Sequence, residues 1–445
     1  MLPIGLVRAL GGTLVAALIA AAPAGVGAQT TLTLEEAMAR ARATTPEARG
    51  LDAAAEEAAA RVRQARSGYL PRVDVSESVQ RGNQPVFVFS SLLSQRRFTT
   101  ANFDVATLND PPPLTNVRTA VTVEQHVFDA GLTRLGVRAA ELGRDLAVLE
   151  RVRGAQDLAL VAARSFARVL QLESAERAAA AAVAAARSDL ERARARRDAG
   201  VVTEADVLAV DVHLADMRQR QIATAGDLAV ARIELSEAVG LPLDQPVTLA
   251  RPPVPAAVPD TRAVIREALG TRPERQQAEV RVSLAENARR TAEAAFLPRV
   301  GVQAGWDFNG AAWSGQRSGW LVGAQLHLNL FNGFADTARL AEARQAESRA
   351  GADRERLERR IEVDVRAALA RVDAARARDA AGRAALMQAR ESQRIIRDRY
   401  DSGLATVTDV LRAAEAALDA ESRTTAAEMD VILQTVALDR AMGRL

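Results

Sequence analysis

The residues able to do chemistry in this chain are few and scattered. There are three histidines and no cysteine among 445 residues. His126, His213 and His327 form no His-x-x-x-His pair, and no cysteine can complete a zinc set. Serine, aspartate and histidine all occur, but no Gly-x-Ser-x-Gly elbow organises them into a nucleophile and its base. Catalysis, a bound metal and a cofactor are therefore not expected. The acids with a defined local task are Asp206 and Asp409. They close the segments Thr203-Glu204-Ala205-Asp206 and Thr406-Val407-Thr408-Asp409. That spacing is a capping box, with threonine as the N-cap of a helix and the acid returning a hydrogen bond. Just before them, Ala199-Gly200-Val201 and Ser402-Gly403-Leu404 offer the glycine that ends a preceding helix. The chemistry points to two helix-turn-helix hairpins, not to an active site.

Those hairpins belong to a plan that is written twice. Pro46 and Pro273 lie 227 residues apart, as do Leu70-Pro71-Arg72-Val73 and Leu297-Pro298-Arg299-Val300. Val127-Phe128-Asp129 and Leu330-Phe331-Asn332 lie 203 apart, as do Gly200 and Gly403, and Asp206-Val207-Leu208 and Asp409-Val410-Leu411. The halves differ only in the connection between the Leu-Pro and Phe-Asp/Asn marks, which is 24 residues longer in the first. A repeat of this length means duplicated structure. The expected organisation is a signal peptide over 1–28, a first repeat over 29–241, a Pro-rich linker over 242–260 and a second repeat over 261–445.

Composition sets the address. Arg8, the apolar run Ala9 to Ala22 and the small residues Val26-Gly27-Ala28 form a secretory signal cleaved near Ala28, with Gln29 as the first mature residue. No later stretch is apolar for long enough to span a bilayer as a helix. Without cysteine, the exported chain rests on packing instead of disulfides and has no lipoprotein anchor. The net charge of +2 leaves no nucleic-acid footprint. Aromatics are only 3% of residues, too few for a large enzyme core, whereas abundant alanine suits long helices packed through small side chains.

Helical periodicity covers Leu34 to Gly68, with Pro71 ending it, and Arg262 to Ala295, with Pro298 ending it. Alternating strands follow at Val73 to Gln80 and Val300 to Phe308. A mixed, loop-like segment leads to Leu114. A return strand then runs through Val121 to Phe128, with Val121, Val123 and Val127 on one face and Thr122, Glu124 and His126 on the other. In the second half a turn over Asn309 to Ser318 precedes a return strand from Leu321 to Phe331, with Leu326, Leu328 and Leu330 on its apolar face and His327 on the polar one. Long helices are expected over Leu132–Asp198 and from Ala335 to Tyr400; a 67-residue helix spans about 100 Å. Shorter ones run from Glu204 to Val239 and from Val407 to Met442. The alanine run between Arg177 and Arg187 reads as a helix seam. Strands of roughly 9–11 residues with one apolar face have the length and dyad of membrane β-strands. Trp306, Trp313 and Trp320 lie near their ends, where aromatic girdles sit. Four strands cannot close a barrel, so several copies would have to share one.

At this point the chain resembles the TolC-like outer membrane efflux proteins. The resemblance rests on the two Leu-Pro-Arg-Val marks, Val127-Phe128-Asp129-Ala130-Gly131, Leu330-Phe331-Asn332-Gly333 and, best of all, Arg399-Tyr400-Asp401-Ser402-Gly403 followed by Asp409-Val410-Leu411. It covers nearly all of the mature chain. It departs in that neither half keeps the common paired glycine, which is Ala130-Gly131 here and Gly333-Phe334 in the copy. The resemblance implies a mostly α fold with a membrane β-barrel part: a homotrimer whose chains each give four strands to a twelve-strand barrel, above a long α-helical barrel. It implies an outer-membrane duct in a Gram-negative bacterium, reaching through the periplasm to an adaptor and an inner-membrane pump of RND or ABC type. It places adaptor docking at the tips Gly200, Val201, Gly403 and Leu404, and a periplasmic gate at Tyr400 and Asp409. One turn on, where the family often carries a second acid, this chain has Arg412. The competing reading is a soluble periplasmic coiled-coil scaffold or adaptor. Two full repeats, each with amphipathic strands, speak against it.

Overall fold

A computed structural model describes residues 31–254 and 260–445. The signal segment with its cleavage site, and the Pro-rich residues 255–259, lie outside the described residues.

The chain begins with the short strand β1 (Thr31–Leu32), then α1 (Leu34–Thr44) and α2 (Pro46–Arg66). The periodicity over Leu34 to Gly68 is thus two helices. The break falls at Thr45, whose extended backbone (ψ 152°) is what a residue before proline adopts, and Pro46 takes the first helical position. Its copy splits in the same way into α7 (Thr261–Thr271) and α8 (Pro273–Ala294), with Arg272 extended before Pro273. Pro71 and Pro298 sit in the short connections that enter β2 (Arg72–Gly82) and β5 (Arg299–Gly310).

The segment between β2 and the return strand is not loop-like. It folds as α3 (Pro85–Ser94), a 3-10 turn (Thr100–Phe103) and α4 (Val105–Asn109). Phe89, Phe98 and Phe103 stack edge to face at 4.8 and 5.1 Å to hold it. Gln95 ties it to the sheet through Thr115 O (2.9 Å) and Asn116 Oδ1 (3.0 Å). The return strand β3 (Leu114–Phe128) is longer than expected, at 15 residues, because β2 and β5 flank it over staggered stretches.

The long helix α5 (Leu132–Asp198) has 67 residues, as does its copy α9 (Ala335–Asp401). Each folds back through a tight turn, into α6 (Glu204–Ala238) and α10 (Val407–Met442). The alanine run lies inside α5, where Ala179, Val183, Ala186, Leu190 and Ala193 are buried at alternating spacings of four and three. That period of 3.5 is the seam of a left-handed coiled coil, and it packs on Val207, Val210, Leu214 and Met217 of α6. Ile361, Val365, Ala368, Val372 and Ala375 repeat the spacing in α9. The stretch after Pro242 is not a plain linker: β4 (Thr248–Leu249) pairs in parallel with β1 beneath the core of α1, α5, α6 and α10.

The membrane-type sheet has the order β2-β3-β5-β6, all antiparallel. The last strand β6 covers Arg317–His327, so Leu328 and Leu330 fall beyond it, and the preceding turn is shorter than expected. It ends there because β5 begins at Arg299, the partner of His327. A bulge between His126 and Phe128 makes Val127 the extra residue. Phe128, not Val127, therefore faces Val300.

The break before α8 is held by ions. Glu274 accepts from Arg272 (3.2 Å) and from Arg440 (2.8 Å) of α10, and Arg440 also reaches Asp157 (2.8 Å) of α5. Burial raises the Glu274 carboxyl, but the two arginine hydrogen bonds outweigh it and bring it from 4.5 to about 2. The folded value lies below the unfolded one, so this stabilisation is present above pH 4.5 and fades as pH falls toward 2. Glu274→Gln is expected to lower the melting temperature at neutral pH and to flatten its fall between those limits. Helical circular dichroism against temperature across that window checks it; parallel curves for the two proteins would rule it out.

Candidate functional site

Two parts of the fold carry features beyond packing: the helical turns farthest from the sheet, and the sheet itself.

At the first turn Gly200 has φ +75°, and Gly200 N and Val201 N donate to Arg197 O (2.8 Å) and Arg196 O (2.9 Å). Gly403 has the same φ, with Gly403 N on Tyr400 O (3.0 Å) and Leu404 N on Arg399 O (2.8 Å). This is the Schellman closure, and a side chain at either glycine would strain it. Val201 and Leu404 follow, each 69% exposed. The next helices start with complete capping boxes: Thr203 N donates to Asp206 Oδ2 (2.9 Å), and Thr406 N to Asp409 Oδ2 (3.0 Å). The threonine hydrogen bonds hold both carboxyls below the usual aspartate range. Asp409 therefore serves its own helix. Arg412, one turn on, lies 3.8 Å from it with an exposed side chain.

Tyr400 does not join Asp409. It meets Arg196, a residue the sequence did not single out. The Arg196 guanidinium lies 4.5 Å from the Tyr400 ring centroid and donates to Tyr400 O (3.1 Å) and to Asp401 O and Oδ1 (3.2 Å each). Arg397 of α9 adds a second bridge to Asp189 of α5 (3.3 Å). These contacts lash the first hairpin to the second near the tip. In the run Arg192-Ala193-Arg194-Ala195-Arg196-Arg197 nothing local marks Arg196 from its neighbours. Its role comes from which hairpin lies alongside.

The sheet has a mainly polar and a mainly apolar face; Leu321 is an apolar exception on the first and Glu77 a charged one on the second. One face is concave and polar, lined by Arg118, Thr122, Glu124, His126, Gln303, Asp307, Gln325 and His327 among Gly301, Gly305 and Gly323. Arg118 pairs with Asp307 (2.7 Å) and Gln303 donates to Glu124 (3.3 Å). The other face presents Val73, Val75, Trp306, Trp320, Val322 and Leu326, all between 44% and 73% exposed. Such a sheet, curved toward its polar side, can line an aqueous bore while its back meets hydrocarbon. The histidines of the concave face stand apart, and no group of His, Cys, Asp and Glu able to hold a metal occurs among the described residues. No described helix is long and apolar enough to cross a membrane.

The model of the outer membrane efflux protein family matches residues 37–241 and 264–444. No curated protein matches the chain in sequence. Among solved structures, the outer membrane protein VceC of Vibrio cholerae superposes with a TM-score of 0.75 at 19% identity, over 92% of this chain and 96% of that one. The CmeC outer membrane channel of Campylobacter jejuni gives 0.77 at 16% identity, over 92% and 85%. The open state of the MtrE outer membrane channel of Neisseria gonorrhoeae gives 0.74 at 17%, over 92% and 88%. At such identities the structures speak for the fold, and the family match, spanning both halves, carries the assignment: the chain belongs to the outer membrane efflux protein family.

Proposed function

We propose that three copies of this chain close one twelve-strand barrel in the outer membrane of a Gram-negative bacterium, and that the helices continue it as a passive export duct across the periplasm. The observation that carries this is the two-faced sheet with two open edges, β2 and β6, set on 67-residue helices. An open edge in hydrocarbon leaves backbone groups unpaired at several kcal/mol each, so copies must close on one another. The chain has no energy source, and an inner-membrane pump of RND or ABC type, joined through a periplasmic adaptor, supplies the work. Val201 and Leu404, beside Gly200 and Gly403, offer small apolar knobs to that adaptor. The signal segment cleaved near Ala28 directs export, and a chain without cysteine carries no lipid anchor.

In this reading Tyr400 is the moving part of the periplasmic gate and Arg196 its latch, while Asp409 and Arg412 supply charge beside it. A charge-assisted bond contributes about 1.5 kcal/mol or more, which shifts a closed–open equilibrium roughly tenfold. Arg196→Ala is expected to raise single-channel conductance or open time of the purified protein in planar bilayers. Unchanged conductance would show that the gate is held elsewhere. Heat-resistant trimers in outer-membrane fractions are expected for the unmodified protein; recovery of the chain as a soluble species after cell breakage would favour a scaffold.

A further inference from the structure

The duplication seen in the sequence holds in the hydrogen-bond registers of the two hairpins. Arg72 pairs with Glu124 and Gly82 with Leu114; Arg299 pairs with His327 and Asn309 with Arg317. Strand β5 is β2 moved by 227 residues, and β6 is β3 moved by 203. The flanks follow the same offsets. Leu70 N bonds Ser67 O as Leu297 N bonds Ala294 O, and Leu132 N bonds Asp129 O as Ala335 N bonds Asn332 O. Even the left-handed pair Ala130 and Gly131 (φ 57° and 82°) is repeated at Gly333 and Phe334 (φ 66° and 65°).

One seam of the sheet joins the two hairpins. It is β3 against β5, a return strand against an entering strand. The corresponding partner for β6 is an entering strand, and among the described residues the one with a free edge is β2, here that of another copy. Resting on the trimeric reading above, we infer that the β3–β5 seam is the template for the seam between copies. Carried over by the two offsets, the pairing of Phe128 with Val300 puts Phe331 opposite Val73 of the next copy. The pairing of Thr122 with Gly305 puts Gln325 opposite Ser78, and that of Val121 with Trp306 puts Ala324 opposite Val79.

Three features of the single chain agree with this register. Phe331 and Leu330 are 72% and 89% exposed just past the end of β6, and Val73 is 60% exposed on the other edge. The transferred pairs keep faces together: Phe331 with Val73 and Ala324 with Val79 on the apolar side, Gln325 with Ser78 on the polar side. A slip of one residue would reverse every face. Lastly, β3 runs past its β2 partner to reach Phe128, which β5 alone pairs. By the same rule β6 lengthens through Phe331 once a neighbouring β2 covers it, and Leu330 takes the bulge position of Val127. Leu326 falls opposite Glu77, whose carboxylate Thr119 Oγ1 already engages.

The chain has no cysteine, so introduced thiols report the register without background. Within one copy β2 and β6 are separated by two strands, roughly 14 Å at the usual spacing, too far for a disulfide. Gln325→Cys with Ser78→Cys, and Ala324→Cys with Val79→Cys, sample the two alternating classes of opposed pair. The controls Gln325→Cys with Ser76→Cys, and Gln325→Cys with Gln80→Cys, are slipped by two residues, where diagonal Cα distances of about 7–8 Å disfavour a disulfide. The expected result on a non-reducing gel of oxidised membranes is covalent dimers and trimers from at least one opposed pair, lost with reductant, and monomers from both controls. Cross-linking from a slipped pair, or from none while single-cysteine variants are trimeric by native mass, would overturn the register and leave the trimer standing. Single-cysteine variants that are monomeric by native mass would overturn both.

Discussion

Ala304→Arg is expected to abolish assembly of the membrane part, while Gln303→Arg, its neighbour in the same strand, leaves it intact. Ala304 lies on the apolar face, in a cross-strand row with Val73, Val123 and Val322 that sits below the Trp306–Trp320 row. If this face meets lipid as proposed, an arginine near the midplane costs about 2–4 kcal/mol, and each copy of the proposed trimer would bear it. Gln303 lies on the concave face and donates to Glu124 at 3.3 Å, so an arginine there gains a carboxylate partner and stays in water. The readout is the yield of heat-resistant oligomer in outer-membrane fractions. Equal yields from the two variants would mean that the faces are assigned the wrong way round.

Leu404→Asp is expected to stop export while leaving folding, oligomer yield and membrane insertion unchanged. Leu404 is 69% exposed, and its role in the turn is carried by its backbone N–H on Arg399 O. Any residue supplies that bond, so the turn itself is indifferent to the change. What the aspartate alters is the surface proposed to meet an adaptor, where a desolvated carboxylate without a partner costs several kcal/mol. The effect is read as loss of cross-linking to the co-expressed adaptor beside an export measurement. Wild-type levels of both would show that the tip is only a turn and that docking lies elsewhere. Val201→Asp, at the matching position of the other hairpin, tests whether both tips take part.

Much of the architecture is legible in the sequence. The 67-residue helices run from Leu132 to Asp198 and from Ala335 to Asp401 because no proline interrupts them and glycine closes each at the far end. The capping boxes at Thr203 and Thr406 follow from residue spacing alone. Two of the differences, at the split helices and at β6, have one cause in common. Periodicity reports the face of a residue but not its partner, so it ran through Thr45-Pro46 and Arg272-Pro273, where a new helix starts on the proline with its side chains still in phase. It likewise carried the β6 alternation on to Leu330, although β5 offers no backbone beyond Arg299 to pair with. The helices between β2 and β3 carry no strong period, being short and held by Phe89, Phe98, Phe103 and the buried Gln95.

Local signals therefore specify the turns and the alternation of the strands as far as the bulge at Val127, since each depends on residues a few positions apart in the chain. Tertiary structure assigned Arg196 to Tyr400, Glu274 to Arg440 and Gln95 to Asn116, pairs 204, 166 and 21 residues apart. Arginine looks the same at every exposed helical position. It becomes a latch only where packing of one hairpin on another sets a ring and two carbonyls within its reach.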